Sequence, residues 1–216
     1  MTLEWRTPPA PIWRVGRAPD PWALAPWEAA APDGTFGNRF DDPESTYRVL
    51  YAASERVACF LETLARFRPD LSLLAELDEI AGENDFVPLG VAPAVWLENR
   101  RIGSAQAPGR YAAVGASGWI ALLRVRLARA CGEMGLADFD AASLFASAPR
   151  RLTQLVSREV YSRGFDGIAY VSKYGTDLEN WALFEPLRLS EPRSFPIAAD
   201  DPDLQAALAI HGLRLA

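Results

Sequence analysis

The stretch that decides the fold is YRVLYAASERVACFLETLARF, residues 47–67. Its first part, Tyr47–Ala53, has the alternation and the β-type composition that predict a strand. Its second part, from residue 55 to about residue 67, repeats small and apolar residues at three- and four-residue spacing, which predicts a helix. Ser54 is the expected N-cap of that helix, and Pro69 prevents its continuation. A strand that runs directly into a helix therefore forms the centre of the fold.

Further strands and helices are predicted on both sides of this unit. Strands are expected at 12–15, in one or two segments of 85–97, from residue 100, at 168–172 and, after a polar loop over 173–180, at 181–185; helices are expected at about 150–163, closed by Gly164, and weakly at 202–211. Because these elements do not alternate as regular βαβ units, the sequence predicts an α+β fold. We expect a single domain over residues 1–216.

Composition limits the class of protein. A chain of 216 residues, half of them apolar and seven of them tryptophan, can bury a core of its own. No apolar run approaches the roughly 18 residues that a membrane span needs, and no secretory signal is recognisable, so we expect a cytoplasmic location. The net charge is −6, and the 22 basic residues, of which Lys173 is the sole lysine, form no run. Direct nucleic-acid binding is therefore not expected.

The scarcity of histidine and cysteine excludes several kinds of active site. His211 is the sole histidine and stands near the end of the chain, where we expect it on the surface. Cys59 and Cys131 have no metal or redox spacing, so we expect two reduced, partly buried thiols. No metal site is expected, and Ser–His and Cys–His chemistry are excluded with it. An enzyme built on this chain has to work with carboxylates, hydroxyls and arginines.

Four polar residues stand where they could meet in one cleft. Glu62 lies at the border of the apolar stripe of the helix, and Tyr51 lies in the strand before it. Arg39 belongs to the turn-rich loop upstream, and Ser172 ends the strand at 168–172. Each has a structural alternative, which is a salt bridge for the two charged residues, core packing for the tyrosine and a strand-end cap for the serine. Taken singly, none of them identifies a function.

Taken together, these residues fall in separated motifs. The motifs are Asn38-Arg39-Phe40, then Tyr51-Ala52-Ala53-Ser54 leading to Glu62, then Gly164-Phe165-Asp166-Gly167-Ile168-Ala169-Tyr170-Val171-Ser172, then Asn180-Trp181-Ala182-Leu183-Phe184-Glu185. In this order and spacing they resemble the RES domain, a family named for an arginine, a glutamate and a serine, and Trp13-Arg14-Val15 is similar to its opening strand. The resemblance spans about residues 11–189 and leaves 190–216 as a C-terminal extension. The chain departs from the family in two places. The family usually has Gly-Arg-Trp where this chain has Asn38-Arg39-Phe40, and residues 80–118 are longer than a compact member of the family needs.

The resemblance implies a fold similar to that of ADP-ribosyltransferases, with antiparallel or mixed sheets flanked by helices. It implies NAD⁺ as the substrate, with no separate cofactor, and a toxin that depletes NAD⁺ or transfers ADP-ribose. It also implies a partner, an antitoxin that carries a helix-turn-helix domain of the Xre type. The site residues that it carries over are Arg39, Tyr51, Glu62 and Ser172, with Arg14 as a weaker addition.

The chemistry of NAD⁺ cleavage fits these residue types. Nicotinamide is attached to ribose as a pyridinium cation, so it leaves as a neutral molecule and needs no general acid, unlike the leaving group of an ordinary glycoside. We expect Glu62 to stabilise the positive charge that develops on the ribose and Arg39 to bind the pyrophosphate. Tyr51 would lie against the nicotinamide, and Ser172 would orient its amide or ribose. No G-x-G-x-x-G motif is present, which argues against a Rossmann dehydrogenase.

Several alternatives remain open at this point. The acceptor of ADP-ribose could be water, phosphate or a protein side chain. Phe60 stands two residues before Glu62, where protein ADP-ribosyltransferases often have a second carboxylate, and this favours a small acceptor. A non-catalytic module that binds a partner is a further alternative. The tryptophan-rich N-terminal segment could cover a contact in a homo-oligomer or pack on its own core.

Overall fold

The computed structural model describes residues 2–72, 75, 90–145 and 148–216. Its strands are β1 (Trp5–Arg6), β2 (Ile12–Arg17), β3 (Val49–Ala53), β4 (Gly90–Ala92), β5 (Arg100–Gln106), β6 (Tyr111–Ala113), β7 (Gly167–Ser172), β8 (Gly175–Phe184), β9 (Ser190–Phe195) and β10 (Leu213–Leu215). Its helices are α1 (Arg56–Leu64), α2 (Val95–Glu98), α3 (Ser117–Arg126), α4 (Ala128–Glu133), α5 (Arg150–Ser162) and α6 (Pro202–His211). Short 3₁₀ turns lie at Trp27–Ala29, Ala65–Phe67 and Ala142–Leu144.

The main sheet is mixed and carries helices around it. Its strand order is β1-β6-β7-β8-β3-β2-β5-β9. Only β6 and β7 run parallel, and every other neighbouring pair is antiparallel. A separate two-stranded sheet joins β4 to β10 in parallel. This architecture confirms the predicted α+β class, with a central strand β3 that pairs with β8 on one side and β2 on the other.

The strand-to-helix unit lies at the centre of the sheet, as predicted, but its cap differs. Strand β3 leads into α1, which continues as the turn Ala65–Phe67. Glu55 occupies the N-cap position and makes no side-chain capping bond. The prediction for Ser54 is wrong because its hydroxyl accepts a hydrogen bond at 3.0 Å from the indole N–H of Trp181, on the neighbouring strand. A cross-strand partner has taken the oxygen that the helix would have used.

Helix α1 is buried on more than one side. It packs against β2 and β3 of the sheet and also against α6. Its buried residues therefore include Cys59 and Phe60, which lie outside the stripe expected from spacing alone. Both cysteines are free and buried, which confirms two unpaired thiols. The helix thus offers water little more than one edge, and Glu62 stands on that edge.

The prediction of a surface position for His211 is wrong. This residue ends α6 and is buried, because α6 lies on α1. Its Nε2 lies 2.8 Å from the carbonyl oxygen of Leu61, and its ring meets Tyr174 edge-on with the ring centroids 5.0 Å apart. Burial lowers the pKa of the imidazole below its ordinary value of 6.5. The histidine therefore supports the helix turn that carries Glu62.

Two other boundaries differ from the expected ones. Strand β8 begins at Gly175, so most of the predicted polar loop over 173–180 is strand paired with β7. The prediction was wrong because the polar residues of this segment belong to a part of the β7–β8 hairpin that faces water. Of the expected strands at 85–97, residues 85–89 lie outside the described residues, β4 covers Gly90–Ala92, and Val95–Glu98 is helix α2. The strand from residue 100 and the helices at 150–163 and 202–211 are confirmed.

The remaining helices enclose a second part of the core. Helices α3, α4 and α5 contribute buried side chains to one cluster with β6, β7 and β8. Gly164 follows α5 with φ 74°, the left-handed conformation of a C-terminal cap. At the N-terminus, Trp22 is buried whereas Trp5 is half exposed on the edge strand β1. None of the helices in the described part of the chain is long and apolar enough to cross a membrane.

Candidate active site

The loop that carries Arg39 is built around a buried carboxylate. Oδ2 of Asp41 accepts hydrogen bonds from the backbone N–H groups of Phe36 and Asn38, both at 2.8 Å. The hydroxyl of Tyr51 accepts a further bond at 2.9 Å from the N–H of Phe40. These bonds fix the loop on β3, and the guanidinium of Arg39 lies 5.7 Å from the centre of the Tyr170 ring. The loop thus places Arg39 beside Tyr170, and no described carboxylate forms an ion pair with it.

Glu62 is held by two side-chain donors on one of its two oxygens. The hydroxyl of Ser172 donates to Oε1 at 2.8 Å, and the amide Nδ2 of Asn180 donates to the same oxygen at 2.9 Å. The backbone N–H of Tyr174 donates to the Ser172 oxygen at 3.1 Å, which leaves the serine hydrogen for the glutamate. Oε2 of Glu62 has no hydrogen-bond partner among the described side chains and backbone groups. One oxygen is thus fixed and the other is available to a ligand.

Three of the four predicted residues line one cavity of about 500 Å³, a size in the range of small-molecule sites, and the fourth, Ser172, lies just behind its wall. Arg14, Arg39, Tyr51 and Glu62 line it. Ser172 is buried behind Glu62 and reaches the cavity through that carboxylate. The structure therefore brings the Arg, Tyr, Glu and Ser positions together, with the serine one layer further from the open space.

The walls of this cavity are strongly cationic although the chain as a whole is acidic. Its lining includes one carboxylate, Glu62, and five basic side chains: Arg14, Arg39, Arg66, Arg150 and Lys173. None of the five forms an ion pair with any carboxylate that the structure describes. No group of His, Cys, Asp and Glu residues suited to a metal ion occurs in the described ranges. Such a cavity favours an anionic ligand that carries a locally positive group towards Glu62.

Arg14 has a structural task as well as a place in the cavity wall. Its Nε donates to the carbonyl of Pro21 at 2.7 Å, and its Nη1 donates to the carbonyl of Tyr51 at 2.6 Å. Burial lowers the pKa of its guanidinium to about 10, so it remains charged at neutral pH. Arg14 therefore ties β2 to β3 and leaves part of its guanidinium for a ligand.

Two of the three tyrosines that line the cavity, Tyr51 and Tyr170, are buried and neutral. Burial raises the pKa of Tyr51 well above its ordinary value, and the negative charge of Asp41 adds to the effect. Burial likewise raises the pKa of Tyr170, and here the charge of Glu62 contributes next. Neither phenol can serve as a base near neutral pH, so both rings act as flat, uncharged walls.

Asn180 is one of several residues of the site that sequence reasoning did not identify, and the others include Tyr170, Arg66, Arg150 and Lys173. Asn180 is 1 % exposed, lines the cavity beside Glu62 and leaves its Oδ1 buried without a hydrogen-bond partner in the described structure. It lies opposite Ala53 in the β3–β8 ladder, and this pairing brings it next to α1. The available signal was its place at the start of the motif Asn180–Glu185. Its role was hidden because that part of β8 had been expected to be loop.

Comparison with known proteins agrees with this geometry. The family model described as "RES domain" matches residues 11–205. The chain belongs to the RES domain family. This RES domain is also similar to a chain in the crystal structure of the M. tuberculosis MbcT–MbcA toxin–antitoxin complex, at 12% sequence identity and a TM-score of 0.51, over 96% of this chain and 91% of that chain. At that identity the likeness shows the fold alone. No curated protein sequence matches the chain.

Proposed function

We propose that this RES domain is an enzyme that cleaves NAD⁺ at the bond between nicotinamide and ribose. The observation that carries the proposal is Glu62, the one carboxylate among the described lining residues, held by two donors in a cavity that has five basic side chains in its wall. NAD⁺ has complementary features, since its pyrophosphate is anionic and its nicotinamide ribose becomes positively charged as the bond breaks. NAD⁺ is a substrate here, and the proposal requires no resident cofactor or metal.

The bond that breaks joins the anomeric carbon to the pyridinium nitrogen. Its electron pair leaves with the nitrogen, nicotinamide departs neutral, and the ribose is left as an oxocarbenium ion. The free oxygen of Glu62 stabilises this cation and accepts a hydrogen bond from a ribose hydroxyl. Water then forms the new carbon–oxygen bond and releases a proton, which gives ADP-ribose. Phosphate can take the place of water, with a phosphate oxygen bonded to the same carbon.

The other residues bind and orient the substrate. Arg39, with Arg14 beside it, pairs with the pyrophosphate, because a guanidinium fork suits two phosphate oxygens. Tyr51 and Tyr170 provide the flat, neutral walls for the nicotinamide ring. Ser172 and Asn180 act through Glu62, whose orientation they maintain. The sequence-based expectation of a direct contact between Ser172 and the substrate remains a prediction.

A protein ADP-ribosyltransferase is the alternative within the same chemistry. Protein acceptors are commonly activated by a second carboxylate two residues before the catalytic one, and here that residue is Phe60. Phe60 is fully buried and packs near Trp96, with ring centroids 6.5 Å apart. The position cannot present a polar group to an acceptor, so we favour water or phosphate. A non-catalytic binding module is less consistent with a carboxylate held ready by two donors.

The biological role that fits this activity is that of a toxin acting on NAD⁺ in the cytoplasm, held inactive by an antitoxin. The support is the membership of the RES family and the likeness of the fold to a chain in a toxin–antitoxin complex. We propose an antitoxin with a helix-turn-helix domain of the Xre type, as the family resemblance implies. Expression of the chain alone would slow growth, and Glu62→Gln would relieve the effect.

The test is release of nicotinamide from NAD⁺ by the purified chain. Glu62→Gln is the informative variant, because its amide oxygen can still accept both hydrogen bonds while the charge is lost. We expect release to fall about 100- to 1000-fold in this variant. Glu133→Gln, a change of the same kind in an exposed ion pair of α4, is the control and should release nicotinamide at the wild-type rate. Equal release by wild type and Glu62→Gln would refute the proposal.

A further inference from the structure

A second, smaller recess opens beside the cavity of Glu62 and is lined by four arginines. Its volume is about 270 Å³, and the arginines are Arg14, Arg17, Arg66 and Arg100. Among the described residues, no carboxylate lines it. Arg14 and Arg66 line both spaces, so the two are adjacent. We call this space the arginine recess.

The fold brings these like charges together from distant parts of the chain. Arg17 on β2 lies directly opposite Arg100 on β5 in the antiparallel ladder. Directly opposed residues of an antiparallel pair project from the same face, and like charges there destabilise the sheet. Arg66 comes from the turn that follows α1. The recess is therefore a place where the fold tolerates repulsion on three separate elements.

No carboxylate in the described part of the chain relieves this repulsion. Arg17, Arg66 and Arg100 form no ion pair with a described carboxylate. Burial lowers the pKa of Arg100, and the charges of Arg66 and Arg17 lower it further. The charge of Arg100 likewise lowers the pKa of Arg14, although burial is the main cause of that shift. In an acidic protein, four cations for which the described part of the chain supplies no carboxylate are better explained by a ligand than by packing.

We propose that the arginine recess binds a phosphate group. A phosphate dianion matches the clustered positive charge, and its oxygens match guanidinium forks, which donate pairs of parallel hydrogen bonds. A single carboxylate would leave most of the charge uncompensated. The proposal rests on the proposed function and deepens it, because the recess shares Arg14 and Arg66 with the cavity where the nicotinamide bond would break. Phosphate binding itself can nonetheless be measured without any turnover.

Two sources could supply this phosphate. One is free inorganic phosphate, which would attack the anomeric carbon as nicotinamide leaves, so that a carbon–oxygen bond replaces the carbon–nitrogen bond and ADP-ribose 1-phosphate forms. Hydrogen phosphate brings its proton into that product, so no other reactant is needed. The other source is the substrate itself, since NADP⁺ carries a phosphate on its adenosine ribose that NAD⁺ lacks.

Calorimetric titration of the purified chain with inorganic phosphate tests the recess directly. Arg17→Gln combined with Arg100→Gln removes the opposed pair, and we expect phosphate to bind at least about tenfold more weakly. The control combines Arg101→Gln with Arg129→Gln, which removes the same amount of charge. Arg101 is next to Arg100 on β5, so its side chain projects from the opposite face, and Arg129 is exposed on α4. The control should bind phosphate like the wild type.

Thermal unfolding provides a second readout, in which the variant that binds phosphate more weakly should be the more stable one when no phosphate is present. Without phosphate, the Arg17→Gln/Arg100→Gln variant should unfold at a higher temperature than the wild type, because the repulsion is gone. With phosphate, only the wild type and the control should gain stability. A wild type that binds no phosphate, or a control that loses binding as fully as the test variant, would overturn the proposal.

Turnover then separates the two sources and the two proposals. If phosphate accelerates nicotinamide release from NAD⁺ and the test variant loses that acceleration, the recess holds free phosphate. If the variant loses a preference for NADP⁺ over NAD⁺, the recess holds the phosphate of the substrate. Release of no nicotinamide by a wild type that binds phosphate would contradict the proposed function and leave the recess supported. Normal release of nicotinamide by a wild type that binds no phosphate would support the proposed function and contradict the phosphate site in the recess.

Discussion

The wall around Glu62 and the arginine recess differ in how their charges are partnered, although the two spaces share Arg14 and Arg66. The single negative charge of Glu62 is matched by two donors, Ser172 and Asn180, on one oxygen. The positive charges of Arg17 and Arg100 face each other and find no carboxylate among the described residues. The first arrangement is ready before a ligand arrives, whereas the second is completed only when an anion binds.

This difference indicates a division of labour. A carboxylate that must meet a developing cation is most effective when its orientation is already fixed, because no reorganisation is needed during the reaction. Cations that bind a ligand gain from being unpaired, since the ligand then has no internal partner to displace. We therefore expect changes at the Glu62 wall to affect the chemical step and changes at the recess to affect binding.

The largest effect among changes that leave Glu62 itself intact should come from removing both of its donors. Ser172→Ala combined with Asn180→Ala leaves Oε1 without either hydrogen bond, so the carboxylate can turn away from the cation it has to stabilise. We expect kcat for nicotinamide release to fall about 100-fold in the double variant but only about threefold for each single change, because the remaining donor still holds Oε1, with little effect on KM.

A double-mutant cycle distinguishes positioning from a loss of fold. Because both donors share one oxygen, their effects on kcat should be coupled rather than independent. Thermal unfolding of the same samples shows whether a variant is still folded. A rise in KM with unchanged kcat would mean that these residues bind substrate and do not position Glu62.

An intermediate effect is expected in the loop that carries Arg39. Asp41→Asn replaces a carboxylate that accepts from two backbone N–H groups and from the amide of Asn38. Whichever way the new amide turns, an N–H group then faces another donor, so the loop loosens and Arg39 loses its fixed place. We expect KM for NAD⁺ to rise about tenfold while kcat changes less.

The control for this change lies in the same loop. Asp33→Asn alters an exposed carboxylate that accepts from Thr35 and does not hold the Phe36–Phe40 backbone. It should leave the KM for NAD⁺ unchanged. If both variants raise KM equally, the loss of negative charge and not the shape of the loop is responsible.

The local sequence pattern was enough to predict the elements that are determined by residues close together in the chain. The spacing of apolar residues predicted β3 and α1 within a few residues, and Gly164 predicted the end of α5. Ser54 and the first half of β8 were predicted incorrectly because strand pairing decides them. Trp181 takes the Ser54 oxygen, and β7 pairs with residues whose polarity suggested a loop.

The same distinction applies to the site. Glu62 and Ser172 were found because they carry the family motifs, yet their hydrogen bond joins residues that are distant in sequence. Asn180 was missed because its role depends on the register of β3 against β8. The recess could not be predicted at all, since Arg17 and Arg100 meet only in the ladder of β2 with β5. A charge cluster that forms only when distant strands pair has no signal in the local sequence.

The smallest effect is expected behind the Glu62 wall, at His211. Burial lowers the pKa of this imidazole in the folded chain below the ordinary 6.5, so the unfolded chain binds a proton more readily. Its contribution to stability is therefore complete above pH 6.5 and is lost as the pH falls from there towards the lower folded-state pKa. His211→Gln keeps an N–H group for the Leu61 carbonyl but does not titrate in this range.

The measurement is the melting temperature of wild type and His211→Gln at about pH 7.5 and about pH 5.5, to either side of the ordinary histidine pKa. Other groups titrate in both proteins, so only the difference between the two pH responses reports on His211. We expect the wild type to lose about 2 °C more than the variant on acidification. Equal losses would mean that burial of this ring does not lower its pKa in the folded chain and that its protonation does not oppose folding.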